Sequence, residues 1–460
     1  MTRSRFRSFH TAVVTSGLTV AFTTVAFAQE PAPAAPPVVV ETPAPVAPVE
    51  LAPVATPYVA PVAPPMVAAP IESAPAEVAA TEAAPEEKEA PWYDGISVGA
   101  FVDAYGAIRS DSNEARNPMG ATVANPSGYY HEAYVQASGF ALAFAGADIA
   151  YSGEKVGATI SMRFGPGVNR FYAADQGAFG ISNITQGYLT YKPTEKLTLD
   201  LGQFYTIYGA EVAESWRNVN YSRGALYYSM QPFWHTGLRA NYKVNDALSI
   251  NALVVNGVNT AFEGNKSPSL GLQLLVTPGD YLTVALGYLG GLNPRDGDDE
   301  TAPTKNFQDF FDLVATATAG NFKFVFNADL NLYKAKFAPA DPATMTSASG
   351  GSSETWWGIS GAPAYAFTDY FTLGARIEYL EDSANSQLYQ SKAGSVLTGK
   401  AKLTTITGTL DFKPVPALIL RPEVRYEVAG NDADTYNSGG SDTSNKFWSV
   451  HLGAVVTSMK

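Results

Sequence analysis

The chain has no cysteine in 460 residues and only four histidines. No disulfide framework, thiol nucleophile or cysteine-based metal site is available, and no two histidines stand at metal-ligand spacing. His131, His235 and His451 fall into no Ser/His arrangement that would activate a hydrolytic nucleophile, so the sequence offers no catalytic residue. It calls for no metal or cofactor either. The acidic run Asp296-Gly297-Asp298-Asp299-Glu300 and the stretch from Asn431 to Asp442 both miss the spacing of a calcium loop.

Long apolar runs are also missing. After the first 28 residues no window reaches the roughly 20 apolar residues of a spanning helix, so any membrane crossing must use closed strands. Acids are absent from the first ten residues, which carry Arg3, Arg5 and Arg7 ahead of an apolar stretch, Thr11 to Phe27, ending in Ala26-Phe27-Ala28. Residues 1–28 therefore read as a secretory signal peptide cleaved before Gln29. Aromatics are nearly absent from 29–90, a Pro/Ala/Val/Glu segment unable to bury a core and biased to polyproline II. It reads as a disordered periplasmic linker whose roughly sixty residues reach on the order of 190 Å when extended. Removing Arg3, Arg5 and Arg7 takes the formal charge from −13 to −16; nine glutamates against Lys88 give the linker −8 and leave −8 for 91–460. So mild an acidity in the remaining chain argues against nucleic acid as a partner.

From Trp92 onward the texture is alternation, aromatics and glycine. Ile96, Val98, Ala100, Val102 and Ala104 share one face of a strand, with Ser97, Asp103 and Tyr105 on the other. Val156, Ala158, Ile160, Met162 and Phe164 oppose Thr159, Ser161 and Arg163, and Phe322, Phe324, Phe326, Ala328, Leu330 and Leu332 oppose Lys323, Asn327, Asp329 and Asn331. This is the apolar-out, polar-in pattern of a transmembrane β-barrel. The Ala-rich stretch Tyr134 to Ala150 alone does not choose a face.

Short turns are expected at 152–155, 193–195, 244–246, 277–280, 319–321, 368–370 and 413–416, alternating with longer polar loops around 110–130, 165–183, 206–234, 257–268, 290–306, 334–353, 381–401 and 428–445. Seven turns and eight loops join sixteen antiparallel strands, which puts both ends of the barrel on the short-turn, periplasmic side. Residues 91–460 thus form an all-β, up-and-down barrel, and sixteen strands is a size that leaves an aqueous channel.

The fifteenth strand carries a charge ladder, Arg421, Glu423, Arg425 and Glu427, on one face and Leu418, Leu420, Pro422, Val424 and Tyr426 on the other. An arginine facing lipid near the midplane costs about 2–4 kcal/mol, so the ladder faces the lumen, beside Thr405, Thr407, Thr409 and Asp411 on one side and Ser449 and His451 on the other. The expected pore lining is Arg163, Arg239, Lys323, Asp329, Arg376, Glu378, Arg421, Glu423, Arg425 and Glu427, with Asp411 in the same inward set. These charges either brace the wall or set a field that selects solutes. The loop 206–234 is the longest and differs in composition, with Glu211, Glu214, Arg217, Tyr221, Ser222 and Arg223 among aromatics; Glu211, Tyr221, Ser222 and Arg223 are the candidate constriction residues.

Several motifs in combination carry a family resemblance. They are Phe101-Val102-Asp103-Ala104-Tyr105, Gly202-Gln203-Phe204-Tyr205 running to Gly209-Ala210-Glu211, Asn220-Tyr221-Ser222-Arg223, Phe233-Trp234-His235-Thr236-Gly237 with Arg239, Val255-Asn256-Gly257, and the two Arg-x-Glu strands. From about Trp92 onward the chain resembles the OmpL-like β-barrel porin family of bacterial outer membranes, and the resemblance implies a diffusion channel without catalytic residues. The chain departs from the common barrel ending, a terminal aromatic read by the barrel assembly machinery, in closing on Val455-Val456-Thr457-Ser458-Met459-Lys460.

The expected function is a porin-like channel for small hydrophilic solutes or ions. The alternative is a structural anchor tethering the envelope through 29–90, with peptidoglycan as partner. Outer-membrane lipid, lipopolysaccharide and, in a homotrimer, further copies of the chain are the other expected partners.

Overall fold

The computed structural model describes residues 93, 95–110, 139–172, 183–263, 267–292, 307–334, 353–383, 400–430, 436–437 and 443–459. The signal peptide, the whole of the 29–90 linker, His131, the 296–300 acidic run and most of the long loops lie outside these residues. Strands run in chain order as β1 (Ile96–Arg109), β2 (Gly139–Ser152), β3 (Val156–Phe164), β4 (Ile184–Thr194), β5 (Leu197–Tyr205), β6 (Trp234–Asn245), β7 (Leu248–Val255) and β8 (Ser269–Gly279). They continue as β9 (Leu282–Leu292), β10 (Phe307–Ala319), β11 (Phe322–Lys334), β12 (Glu354–Ala366), β13 (Phe371–Asp382), β14 (Ala401–Val415) and β15 (Leu418–Gly430). A two-residue pair, β16 (Tyr436–Asn437) with β17 (Thr443–Ser444), precedes β18 (Lys446–Thr457).

Leaving that small pair aside, sixteen strands close into one antiparallel barrel, each pairing with its sequence neighbours and β18 closing on β1. Closure leaves no unpaired edge, the condition for crossing hydrocarbon with strands. Seven connections on one rim are only two to four residues long. Several strands run slightly past the expected turns because register shifts at Tyr191/Thr194, Lys243/Asn245, Val276/Gly279 and Phe412/Val415 absorb the extra residues beside the turn.

The face ambiguity of β2 has a physical cause. Phe144 pairs with Asp103 and Leu142 with Ala104, so Ala143 is an extra bulge residue. Phe140 and Leu142 are exposed before it, and Ile149 and Tyr151 after it. The bulge switches parity mid-strand, which simple alternation cannot represent.

Outward aromatics form two belts. Tyr151, Tyr191, Tyr242, Tyr281, Tyr365 and Phe371 lie exposed near the short-turn rim, and Phe140, Phe164, Phe311, Tyr426 and Trp448 near the opposite one. Between them the wall is aliphatic, the girdled band of an outer-membrane barrel. The buried aromatic core lies inside the barrel instead: Phe101, Tyr105, Phe144, Phe171, Tyr172, Tyr221, Tyr227 and Trp234 cluster there.

Candidate functional site in the barrel lumen

The connection from β5 to β6 turns inward. It holds a short 3-10 turn, Ser215–Arg217, and helix α2 (Ala225–Met230), and its side chains are largely buried against the inner wall. The entry is at Gly209, whose φ of +83° and contact with the Gln231 amide suit only glycine. Tyr208 reaches β9, donating to the Tyr288 carbonyl at 2.7 Å, and the Ala210 amide donates to Asn327 on β11 at 3.0 Å.

The ladder of β15 holds the next segment. Its register is as the alternation requires: Thr405, Thr407 and Thr409 stand opposite Glu427, Arg425 and Glu423 on one side, with Ser449 and His451 opposite Arg425 and Glu423 on the other. Arg421 donates to the carbonyls of Ser215, Asn218 (2.9 Å) and Val219 (2.9 Å), and to Asp411 at 2.6 Å. Glu423 accepts the amides of Tyr221 at 2.6 Å and Ser222 at 3.0 Å, and the Thr409 hydroxyl at 2.6 Å. Arg425 donates to the Arg223 carbonyl at 2.6 Å, the Ser222 hydroxyl at 3.2 Å and Glu427 at 2.6 Å.

Further up, Glu378 receives the Ala225 and Leu226 amides at 3.1 Å each, satisfying donors at the start of α2 that have no intrahelical partner. Arg376 pairs with Glu378 at 3.1 Å and with Glu211 at 2.6 Å. Gly224 permits this junction, since a Cβ there would lie 2.3 Å from Glu378 Oε1 and 2.7 Å from Glu211 Oε2. Across the lumen Arg163 pairs with Glu214 at 2.8 Å and Asp148 at 2.7 Å.

Burial pushes the Glu211 carboxyl above the usual carboxylate range, since the opposing Arg376 charge is itself countered by Glu378. Burial acts in the same direction on Glu214, but there Arg163 and Arg217 together more than offset it and hold the group low.

The ten residues expected to line a pore therefore divide. Arg163, Asp329, Arg376, Glu378, Arg421, Glu423, Arg425 and Glu427 face inward but are buried beneath loop atoms. Arg239 is clamped to Asp200 at 2.7 Å, and Lys323 is exposed to the interior space. Of the four expected loop residues, Tyr221 donates to Asp103 at 2.8 Å, Ser222 sits on Glu423, Arg223 donates to the Tyr221 and Ala213 carbonyls, and Glu211 meets Arg376.

Sequence reasoning missed three sets of contacts. Asp103 accepts both Tyr221 and the Ser215 hydroxyl, at 2.8 and 2.7 Å; its sole signal was an acid on an inward position of β1. Helix α1 (Val168–Phe171) and Tyr172, at the start of the β3–β4 loop, also enter the barrel, Phe171 packing on Tyr227 and Phe233 with ring centroids 5.8 and 5.3 Å apart. An aromatic pair in a polar loop was the available signal. Finally, Gln231 joins Asn327 and Asp329 at 2.6 and 2.7 Å, and Asn327 links Asp329 to Asp312 across β10 and β11.

A residual space of mixed lining remains between the loop and the β11–β13 wall, bordered by Glu211, Arg217, Lys323, Asn327, Ser360, Arg376 and Glu378 and by the apolar Val219, Leu226, Tyr227 and Val325.

A sixteen-stranded closed barrel with outward aromatic belts and a loop folded into a polar lumen defines an outer-membrane protein of porin type. The chain belongs to the family described as beta-barrel porin-2, OmpL-like, whose pattern it matches over residues 95–455. Among solved structures it is similar to OmpT of Vibrio cholerae in its trimer form, with 13% identity and a TM-score of 0.50, over 79% of this chain and 98% of that one. It is similar also to the anion-selective porin of Comamonas acidovorans, with 10% identity and a TM-score of 0.50, over 79% of this chain and 99% of that one. At such identities the likeness is one of fold. No curated protein matches the chain in sequence.

Proposed function

We propose that the barrel is a channel for passive diffusion of small hydrophilic solutes or ions, with the β5–β6 loop as its constriction. The observation that carries this reading is the inward loop, tied down by buried ion pairs and leaving a space with charged groups on its border beside it. A barrel of this size has a lumen wide enough for water, and a fixed loop narrows it without sealing the wall. The wall arginines and carboxylates serve mainly to hold the constriction. In this reading residues 1–28 export the chain, 29–90 form a spacer in the periplasm, and the barrels associate as homotrimers. Purified protein reconstituted in a planar bilayer should give stepwise conductance; its absence across several lipid compositions would overturn the channel reading.

A further inference from the structure

We infer that the interior space between the loop and β11–β13 favours anionic solutes, carrying carboxylate or phosphate, and that Lys323 sets this preference against the negative charge of the chain as a whole. The inference rests on the channel reading and names the solute class of the same lumen.

Most charged groups on the lumen side are locked in pairs. Arg376 is shared between Glu211 and Glu378, Arg163 between Glu214 and Asp148, and Arg421 is bound to Asp411. Such pairs cancel at a distance and present little net field to a passing ion. Lys323 differs: among the described residues no ion pair or hydrogen bond engages its ammonium, and its side chain is exposed on the border of the space. Its cross-strand partners are Thr318 on β10 and Ala364 on β12, and Val325 follows on the same face, so no acid stands beside it on the wall. Around the space Arg376 is held by Glu211 and Glu378 and Arg217 pairs with Asp148 at 3.8 Å, so among the described residues Lys323 is the cation on the border without an ion-pair partner, and the Ser360 hydroxyl is available to an oxyanion. The formal charge of −13 resides largely in other segments and in paired groups, and is no guide to selectivity.

A unit charge about 6 Å from a passing monovalent ion in water changes its local concentration roughly threefold. In a salt gradient the wild-type reversal potential should have the sign of anion preference. Lys323→Gln should lower the local anion concentration about threefold, Lys323→Glu should move the potential toward cations, and Lys323→Arg should leave it near wild type. Calorimetric titration of the detergent-purified protein with inorganic pyrophosphate supplies a readout without conductance, with binding weakened in Lys323→Gln. A conducting barrel whose reversal potential is unaltered by Lys323→Glu would overturn the inference and leave the channel reading standing. Lys323-dependent pyrophosphate binding without conductance would overturn the channel reading alone, and the absence of both would overturn both.

Discussion

Replacing Arg421 by methionine should free the 215–219 part of the inward loop while leaving the barrel closed. The guanidinium, fully buried, donates to three loop carbonyls and to Asp411. Methionine keeps much of the apolar volume and removes every one of these bonds. Breaking a buried pair by deleting one partner costs about 3–5 kcal/mol, because the remaining groups are left desolvated and unpaired. The strand ladders that close the barrel do not involve this side chain, so the cost falls on loop attachment. At about 1.36 kcal/mol per tenfold, the population of loop-open molecules should rise by between two and four orders of magnitude.

The chain's lack of cysteine makes the assay clean. Ser215→Cys places a single thiol at a fully buried loop position, and its labelling rate by a water-soluble maleimide reports opening. The comparison is Ser215→Cys alone against Ser215→Cys with Arg421→Met, so loss of the Ser215–Asp103 hydrogen bond is common to both. Gel mobility without boiling should show a folded barrel in each. Equal labelling rates in two folded barrels would refute the claim that Arg421 holds the loop.

Three further outcomes follow from the same contacts. Glu211→Ala combined with Arg223→Ala removes the Arg376 partner and a two-carbonyl clamp inside the loop, and single-channel conductance or ion preference should change; an unaltered channel would mean the loop does not shape the pathway. Gly224→Val forces a Cβ to within 2.3 Å of Glu378 Oε1, which must displace the carboxylate from the start of α2 and raise channel noise, whereas Gly408→Val, with nothing within 4 Å, should be silent. The loop acids should give opposite pH responses. Glu211, held above its unfolded pKa by burial, contributes stability that is present below that unfolded value and lost as pH rises through the folded one. Glu214, held low, contributes stability present above its unfolded pKa and lost as pH falls through the folded one. Loop opening should therefore be least frequent in mildly acidic solution, and Glu211→Gln should abolish the rise on its alkaline side.

The outer surface was legible in the sequence because lipid imposes a single chemical demand on every second residue. Phe322 to Leu332 and Val156 to Phe164 read directly as outward faces, and alternating connection lengths gave the strand number. The composition of 206–234 separated that loop from the rest. What alternation cannot report is what occupies the space facing an inward residue. Arg421 and Ser215 lie about two hundred positions apart in sequence, and nothing local to either indicates that they meet. Asp103, Asn327 and Asp329 were legible as inward residues, but their partners were not, since each contact is completed by residues of the loop. In β2 the obstacle was instead local, because one bulge residue reverses the parity on which the reading depends.

The alternating sign of the β15 ladder follows from the backbone it receives. A chain segment buried in a lumen must satisfy both its carbonyls and its amides, and these demand opposite partners. Arg421 meets carbonyls of 215–219, Glu423 meets the amides of 221 and 222, and Arg425 meets the carbonyl of 223, so the ladder matches the order of acceptors and donors along the loop. The neighbouring Thr405, Thr407 and Thr409 hydroxyls can donate or accept and are indifferent to the sign beside them. A full inversion therefore separates bracing of the wall from recognition of the loop: Arg421→Glu, Glu423→Arg, Arg425→Glu and Glu427→Arg, with Asp411→Lys to keep the pair at 421. The alternation and the 421–411 and 425–427 pairs survive this change, but the rungs at 421, 423 and 425 then each face a backbone group of the wrong polarity. Combined with Ser215→Cys, the inversion should release the loop, and the introduced thiol should be labelled as rapidly as in the Arg421→Met barrel. A folded inverted barrel that still protected this thiol and only reversed its ion preference would show that the ladder sets a field and does not read the loop.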